Sequence, residues 1–128
     1  MTLWFTLLQV ALGGALGAMS RFATTTAVVR FFGPGFPLGT MTVNVVGSFV
    51  MGAIFALLVH RFDDIRFAPL LMTGFLGGFT TFSAFSLDVI QLVEKGRMGA
   101  AAIYIGGSVG LSILALWLGL TLMRGLWA

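Results

Sequence analysis

The sequence of 128 residues has no cysteine, a single histidine and very few charged side chains. Without cysteine there can be no disulfide, no thiolate chemistry and no cysteine-based metal site. One histidine and scattered serines cannot supply a nucleophile, a base and an orienting group together, so we predict that the chain is not an enzyme. Only 9% of the residues are charged, whereas a soluble domain carries about a quarter. This scarcity of charge argues against a water-soluble domain.

The few charged residues lie at the ends of four long apolar stretches. Each stretch supplies the ~20 apolar residues that a helix needs to cross a bilayer. Pro34 and Pro37 confine the second helix to the residues after them. We therefore predict one all-α transmembrane domain over residues 1–128, with spans at about 3–29, 38–60, 67–93 and 98–123. The first stretch lacks the basic start of a signal peptide and is interpreted as a retained helix.

The basic residues outnumber the acidic ones by seven to four, and the pI is 10.7. They are spread over every loop and form no patch, so no nucleic-acid partner is predicted. With four spans, both termini and the second loop share one side, which carries Arg61, Arg66 and Arg124. The other side carries Arg30, Lys95, Arg97 and, if it extends that way, Arg21. Because Lys/Arg bias sets orientation, this near balance predicts insertion both ways up; a single orientation fixed by subtler cues is the alternative.

Small residues recur at helical spacing inside the spans. Gly13 and Gly17 form one pair four residues apart, and Gly106 and Gly110 form another. In lipid, small residues let helix backbones approach closely, so both pairs predict tight packing. Span two also has one small, polar face, made by Thr40, Asn44, Ser48 and Gly52.

The third span has the least regular helical sequence. The span contains three glycines, Gly74, Gly77 and Gly78, followed by β-branched and hydroxyl residues. Both kinds of residue have low helix propensity and disfavour an unbroken helix. We predict a break near residues 77–81; an intact helix with a glycine-rich packing face is the alternative. A break at membrane depth is tolerated where the freed backbone groups are buried or line a cavity, and there they are suited to hold ions.

The polar groups inside the spans are mostly hydrogen-bond donors. The Asn44 amide can either join two helices or contact a ligand. Hydroxyls follow in span three and in a stripe along span four, and two phenylalanines with electropositive ring edges lie beside them. These are Thr81, Ser83, Ser86, Tyr104, Ser108, Ser112, Phe82 and Phe85. Donors with few acceptors suit an anion better than a cation. Arg21 can extend to the lipid headgroups or draw anions towards a vestibule, and both interpretations stay open.

Three segments resemble the Fluc (CrcB) fluoride channels: residues 13–22, 37–44 and 73–86. The resemblance covers essentially the whole chain, with the same order and spacing. It implies an antiparallel, dual-topology homodimer in the inner or plasma membrane, with paired narrow fluoride pores at the subunit interface. It also implies a structural sodium ion at that interface, held by the backbone carbonyls of Gly77 and Thr80.

The same resemblance assigns the site residues. The fluoride pore would be lined by Asn44, Phe82, Phe85, Ser83, Thr40, Tyr104, Ser108 and Ser112. Arg21 would lie in the vestibule. The chain departs from the family pattern at Ala84, where a threonine hydroxyl is usual, and at Asp88, where many members have glutamate.

The implied activity is passive, selective export of fluoride from the cytoplasm, which confers fluoride resistance. The main alternative is a small multidrug-resistance-type exporter, which is also a four-span, dual-topology dimer. Such an exporter needs a carboxylate embedded in the membrane to exchange protons for substrate, and the first span has none. An accessory subunit of a larger complex is a further alternative, which predicts no flux by the chain alone.

Overall fold

The computed structural model describes residues 2–126, which form four helices long and apolar enough to cross a membrane. They span Leu3–Phe32 (α1), Leu38–Arg61 (α2), Pro69–Glu94 and Met98–Gly125 (α5). The third span comprises residues 69–79 (α3) and Phe82–Glu94 (α4). The prediction of an all-α, four-span membrane protein is therefore confirmed. Within the spans, Ala56–Arg61 and Pro69–Leu76 are wound as π-helix.

Between α3 and α4 the backbone is extended. Thr80 has φ −88° and ψ 158°, and Thr81 has φ −151° and ψ 124°. The two ends of α1 show capping interactions that are common in helices. Thr2 caps α1 by accepting a 3.2 Å hydrogen bond from the Phe5 amide. Gly33, at φ +80°, ends α1 in a conformation that side chains disfavour.

The spans pack as two parallel pairs, and glycine brings the backbones of each pair into contact. In the first pair, a Cβ on Gly13 would lie 2.2 Å from the Leu70 carbonyl oxygen. A Cβ on Gly17 would lie 2.0 Å from the Phe75 oxygen. Both distances are far inside van der Waals contact, so the two backbones can approach this closely only where α1 has glycine. The predicted close packing of the Gly13 and Gly17 pair is thus confirmed.

The second pair, α2 and α5, is built in the same way. A Cβ on Gly52 would lie 2.1 Å from the Leu116 oxygen, and one on Gly119 would lie 2.1 Å from the Phe49 oxygen. The other pair predicted to pack, Gly106 and Gly110, has nothing within 4 Å in the described chain. The predicted close packing of Gly106 and Gly110 is therefore not found within one described chain.

Contacts between loops match the predicted placement of the chain ends. Arg97 donates to the Gly35 carbonyl, so the first and third loops meet at one end of the bundle. At the other end, Arg124 Nη2 lies 2.8 Å from His60 Nε2. In the second loop, the exposed Arg66 guanidinium lies 2.9 Å from Asp64 Oδ2, and its hydrogen bonds lower the pKa of that carboxyl.

The seam between α2 and α5 gives a direct test of the packing. We expect Gly119→Ala to lower the thermal unfolding midpoint of the purified protein, because the new methyl group collides with a backbone carbonyl and overpacking costs about 1–3 kcal/mol. Gly99→Ala is the matched control, since it lies on the same helix with nothing within 4 Å. Equal midpoints for the two variants would contradict this account of the seam.

Candidate functional site

The extended segment of the third span is held by one side chain from α2. Asn44 Nδ2 donates to the Thr81 carbonyl at 2.9 Å, and the Thr81 amide donates to Asn44 Oδ1 at 2.7 Å. One planar amide thus satisfies both backbone groups of a residue that has left the helix. Of the two interpretations of Asn44, joining helices is what this geometry shows directly. Its second Nδ2 hydrogen has no partner within residues 2–126.

Two carbonyls beside this segment are released from the helical ladder. Thr81 donates its amide to Asn44 instead of to the Gly77 carbonyl, four residues earlier. Ala84 donates its amide to Thr81 Oγ1, at 3.1 Å, instead of to the Thr80 carbonyl. The Leu76 carbonyl, by contrast, accepts both the amide and the hydroxyl of Thr80. Helix ends normally leave such carbonyls in need of partners.

The released carbonyls are Gly77 and Thr80, the pair named in connection with sodium. Among the described residues no group of three or more His, Asp or Glu side chains could hold a metal ion. A cation here would need backbone oxygens, and unwound carbonyls are known ligands of sodium in membrane proteins. The residues present therefore fit the implied ion.

A groove of about 330 Å³ opens beside the extended segment, between α2, α4 and α5. Many of the predicted pore residues line it, and Thr80, Thr81 and Ser48 line it with them. The predicted members are Asn44, Phe82, Phe85, Ser108 and Ser112. The extended segment of the third span, the small polar face of α2 and the hydroxyl stripe of α5 therefore meet at one place.

The groove contains two hydroxyls without partners. The Oγ atoms of Ser108 and Ser112 are buried and make no hydrogen bond within the described part of the chain. Serine and threonine in a helix commonly bond to the carbonyl four residues earlier, as Thr121 does to Trp117 at 2.9 Å. Leaving buried hydroxyls unpaired is costly. These two are therefore free to donate to a bound species.

Two phenylalanine rings line the groove together with these hydroxyls. The Phe82 and Phe85 ring centroids lie 5.6 Å apart at an interplanar angle of 41°. Phe82 is 77% exposed, whereas Phe85 is only 8% exposed. Phe85 in turn contacts the Tyr104 ring, with centroids 5.2 Å apart. The exposed Phe82 ring thus packs against a buried pair of aromatic rings, Phe85 and Tyr104.

Thr40 and Tyr104 do not line the groove but form a second cluster behind Phe85. The Tyr104 hydroxyl is fully buried and donates to Asp88 Oδ2 at 2.9 Å, and Thr40 lies close to it. The aspartate at this position is thus long enough to reach the tyrosine. The structure thus places five of the predicted pore residues along the groove and Thr40 and Tyr104 in this second cluster, next to Asp88.

The remaining predicted residues, Ser83 and Arg21, do not line the groove. Ser83 Oγ is exposed and lies 3.4 Å from Thr81 Oγ1. Arg21 Nε donates to the Gly78 carbonyl at 3.0 Å. Its guanidinium is therefore bound to the end of α3, next to the extended segment, an arrangement that neither sequence interpretation of Arg21 included.

Sequence reasoning missed three hydrogen bonds that fix the third span. Thr81 caps α4, and a threonine just before an apolar helical run is a signal that could have revealed this role. The bond from Arg21 to the Gly78 carbonyl and the bond from the Leu70 amide to Gln9 are the other two, and each joins α1 to α3. Those contacts depend on helix packing, and no local sequence signal predicts them.

Comparison with known proteins decides the family. The family model described as "CrcB-like protein, Camphor Resistance (CrcB)" matches residues 8–120. The chain belongs to the CrcB family. This CrcB protein is 60% identical over 119 residues to a "Fluoride-specific ion channel FluC" of Cereibacter sphaeroides, covering 93% of this chain and 94% of the relative.

Other similar relatives carry the same name. A "Fluoride-specific ion channel FluC" of Paracoccus denitrificans is 53% identical over 123 residues, covering 96% of this chain and 98% of its own. One from Rhizobium etli is 52% identical over 120 residues, covering 93% and 96%. Family membership and the four apolar helices together make this CrcB protein a multi-pass protein of the cell membrane.

Proposed function

We propose that this CrcB protein is a fluoride-selective channel, not an enzyme, and that it passively exports fluoride from the cytoplasm and so confers fluoride resistance. The structural observation that supports the proposal is a pair of buried serine hydroxyls, without a partner among the described residues, in a groove that Asn44 and Phe82 also line. The names of the relatives at 52–60% identity support the same choice of ion.

The chemistry of the groove suits a small anion. Fluoride is strongly hydrated, so a path that conducts it must replace its water with donors. Ser108 and Ser112 offer O–H groups, the free Nδ2 hydrogen of Asn44 offers an N–H, and phenylalanine edges carry positive potential. Path width and lining groups together set ion selectivity in channels, so a path fitted to fluoride excludes the larger chloride.

The conducting unit in this proposal is an antiparallel homodimer. Gly77, whose carbonyl is released from the ladder, is exposed on the surface of the chain. Irregular backbone at membrane depth is tolerated only where protein or a water-filled cavity covers it, so a second copy supplies the missing cover. The bare helix surface at Gly106 and Gly110 offers a further contact for that copy. The near-even Lys/Arg distribution supports an inverted partner.

The third span in this proposal is a discontinuous helix, as the extended angles at Thr80 and Thr81 support. The Gly77 and Thr80 carbonyls of each subunit would hold a structural sodium ion at the dimer interface. Such an ion would neutralise the negative carbonyl ends of both α3 helices. It would thereby fix the two broken spans against each other.

A flux assay tests the function. Liposomes containing the purified protein and loaded with fluoride should release it when an electrode records efflux, and equally loaded chloride liposomes should not. Absence of fluoride release, or equal release of chloride, would overturn the proposal. Release driven by an imposed pH gradient would instead favour the multidrug-type exporter.

An orientation assay tests the dimer. Reporters fused to the C-terminus, one active only in the cytoplasm and one only outside it, should both give signal. Signal from only one of them would contradict an antiparallel assembly, while the flux result would stand by itself.

The serine hydroxyls give a prediction in which stability and flux separate. Ser108→Ala and Ser112→Ala should each lower fluoride efflux about tenfold, the effect of losing one hydrogen bond to a charged species. Neither should lower the unfolding midpoint, because each removes a buried hydroxyl that has no partner in the described chain. Thr121→Ala is a control hydroxyl deletion on the same helix, where the lost bond is local. Unchanged efflux in both serine variants would reject these positions as pore residues.

A further inference from the structure

Four residues on one face of α1 contact α3 in succession. They are Gln9, Gly13, Gly17 and Arg21, spaced four residues apart. The two glycines bring the backbones together, as described above. The outer two form side-chain-to-backbone hydrogen bonds: Gln9 Oε1 accepts from the Leu70 amide at 3.2 Å, and Arg21 Nε donates to the Gly78 carbonyl at 3.0 Å. The face thus fixes α3 near its start and at its end.

The Arg21 contact lies where α3 has lost its own hydrogen-bond partners. The carbonyls in the last turn of a helix have no amide ahead of them, and the extended Thr80 and Thr81 prevent α4 from supplying any. Leu76 is satisfied by Thr80 and Gly78 by Arg21. Gly77, which lies between these two residues, is the carbonyl left without the amide of Thr81.

Arg21 suits this position in both charge and shape. The carbonyl end of a helix carries partial negative charge, which a nearby cation stabilises. A guanidinium stays protonated and its Nε–H points in a fixed direction within a rigid plane. Charge-assisted hydrogen bonds of this kind are stronger than neutral ones. The contact therefore fixes the direction of the Gly78 peptide, not merely its charge.

From this geometry we propose that Arg21 is a positioning residue for the cation site: by holding the Gly78 carbonyl against α1, it keeps the neighbouring Gly77 carbonyl directed at the ion. The inference rests on the proposed function, since it deepens the proposed sodium site. An arginine that merely attracts anions would need only its charge. An arginine that positions the peptide needs its Nε–H, which lysine lacks.

The test compares Arg21→Lys and Arg21→Gln with the unaltered protein by thermal unfolding. Sodium is titrated against choline at constant ionic strength, and the sodium concentration giving half of the full rise in unfolding midpoint is recorded. We expect this concentration to increase about tenfold in both variants, as for the loss of one charge-assisted hydrogen bond. Arg21→Lys keeps the charge and most of the aliphatic stem, so it serves even if Arg21→Gln does not fold.

Two controls separate positioning from general packing. Gln9→Met removes the hydrogen bond that the Leu70 amide donates to Gln9, near the start of α3 and far from the extended segment. It should lower the unfolding midpoint at every sodium concentration without changing the half-effect concentration. Arg30→Gln removes an exposed charge from the same helix and should change neither.

The contrary outcomes are distinct. If Arg21→Lys keeps the sodium dependence of the unaltered protein, charge alone suffices and the inference is wrong. If the unaltered protein shows no sodium-dependent stabilisation, the inference is wrong as well. Both outcomes leave the fluoride efflux of the unaltered protein as a separate measurement, so failure of the inference and failure of the proposed function are told apart.

Discussion

Replacing Asn44 with aspartate should reduce fluoride efflux about 100-fold or more, corresponding to an energetic cost of roughly 3 kcal/mol. The carboxylate keeps an acceptor for the Thr81 amide but has no N–H for the Thr81 carbonyl. Two oxygens would then face each other at the distance now spanned by a hydrogen bond. The new negative charge would also line the groove and repel the permeating anion.

Efflux from liposomes, recorded with a fluoride electrode, measures this loss. Thr42→Val is the matched control on the same helix, because within residues 2–126 the Thr42 hydroxyl bonds only to the Leu38 carbonyl one turn away, at 2.7 Å. It should keep near-normal efflux. Efflux from Asn44→Asp equal to that of the control would show that Asn44 serves only to join the helices.

The second large effect is expected at Phe82. Phe82→Ile should reduce fluoride efflux about 100-fold, since it replaces an electropositive ring edge in the groove with an aliphatic group. The unfolding midpoint should change little in comparison, because Phe82 is 77% exposed and its main ring contact is with Phe85. Flux and stability should therefore separate in this variant.

The control for Phe82 is Phe22→Ile. Phe22 is 72% exposed, nearly as much as Phe82, but it lies on α1 and does not line the groove. It should conduct normally. If both variants conduct equally well, the ring edge of Phe82 plays no part in permeation.

The fold was predictable because its cause is local. A span is a run of ~20 apolar residues, and the positions of the few charges delimit such runs directly. The close packing at Gly13 and Gly17 was also predictable, because a spacing of four places both residues on one helix face. Gly106 and Gly110 have the same spacing but contact no other helix in the described chain. Spacing shows that two residues share a helix face, but it does not show which surface packs against that face.

The candidate site was predictable only in part. Spacing correctly placed Ser108 and Ser112 on one face, where both now line the groove with Asn44. The same stripe includes Tyr104, yet Tyr104 points into a buried cluster with Asp88. Helical periodicity sets direction around one axis, whereas the partner met in that direction depends on how the neighbouring helices cross.

By itself, the sequence determined that this CrcB protein has four apolar helices and a glycine-rich third span ill suited to a continuous ladder. Only the tertiary structure decided how the freed backbone groups are satisfied. Asn44 takes the Thr81 amide from 37 positions away, and Arg21 reaches the Gly78 carbonyl from 57 positions away. Hydrophobicity is a property of each residue, so a run of apolar residues can be recognised directly in the sequence. A hydrogen bond between distant residues exists only once the helices have packed.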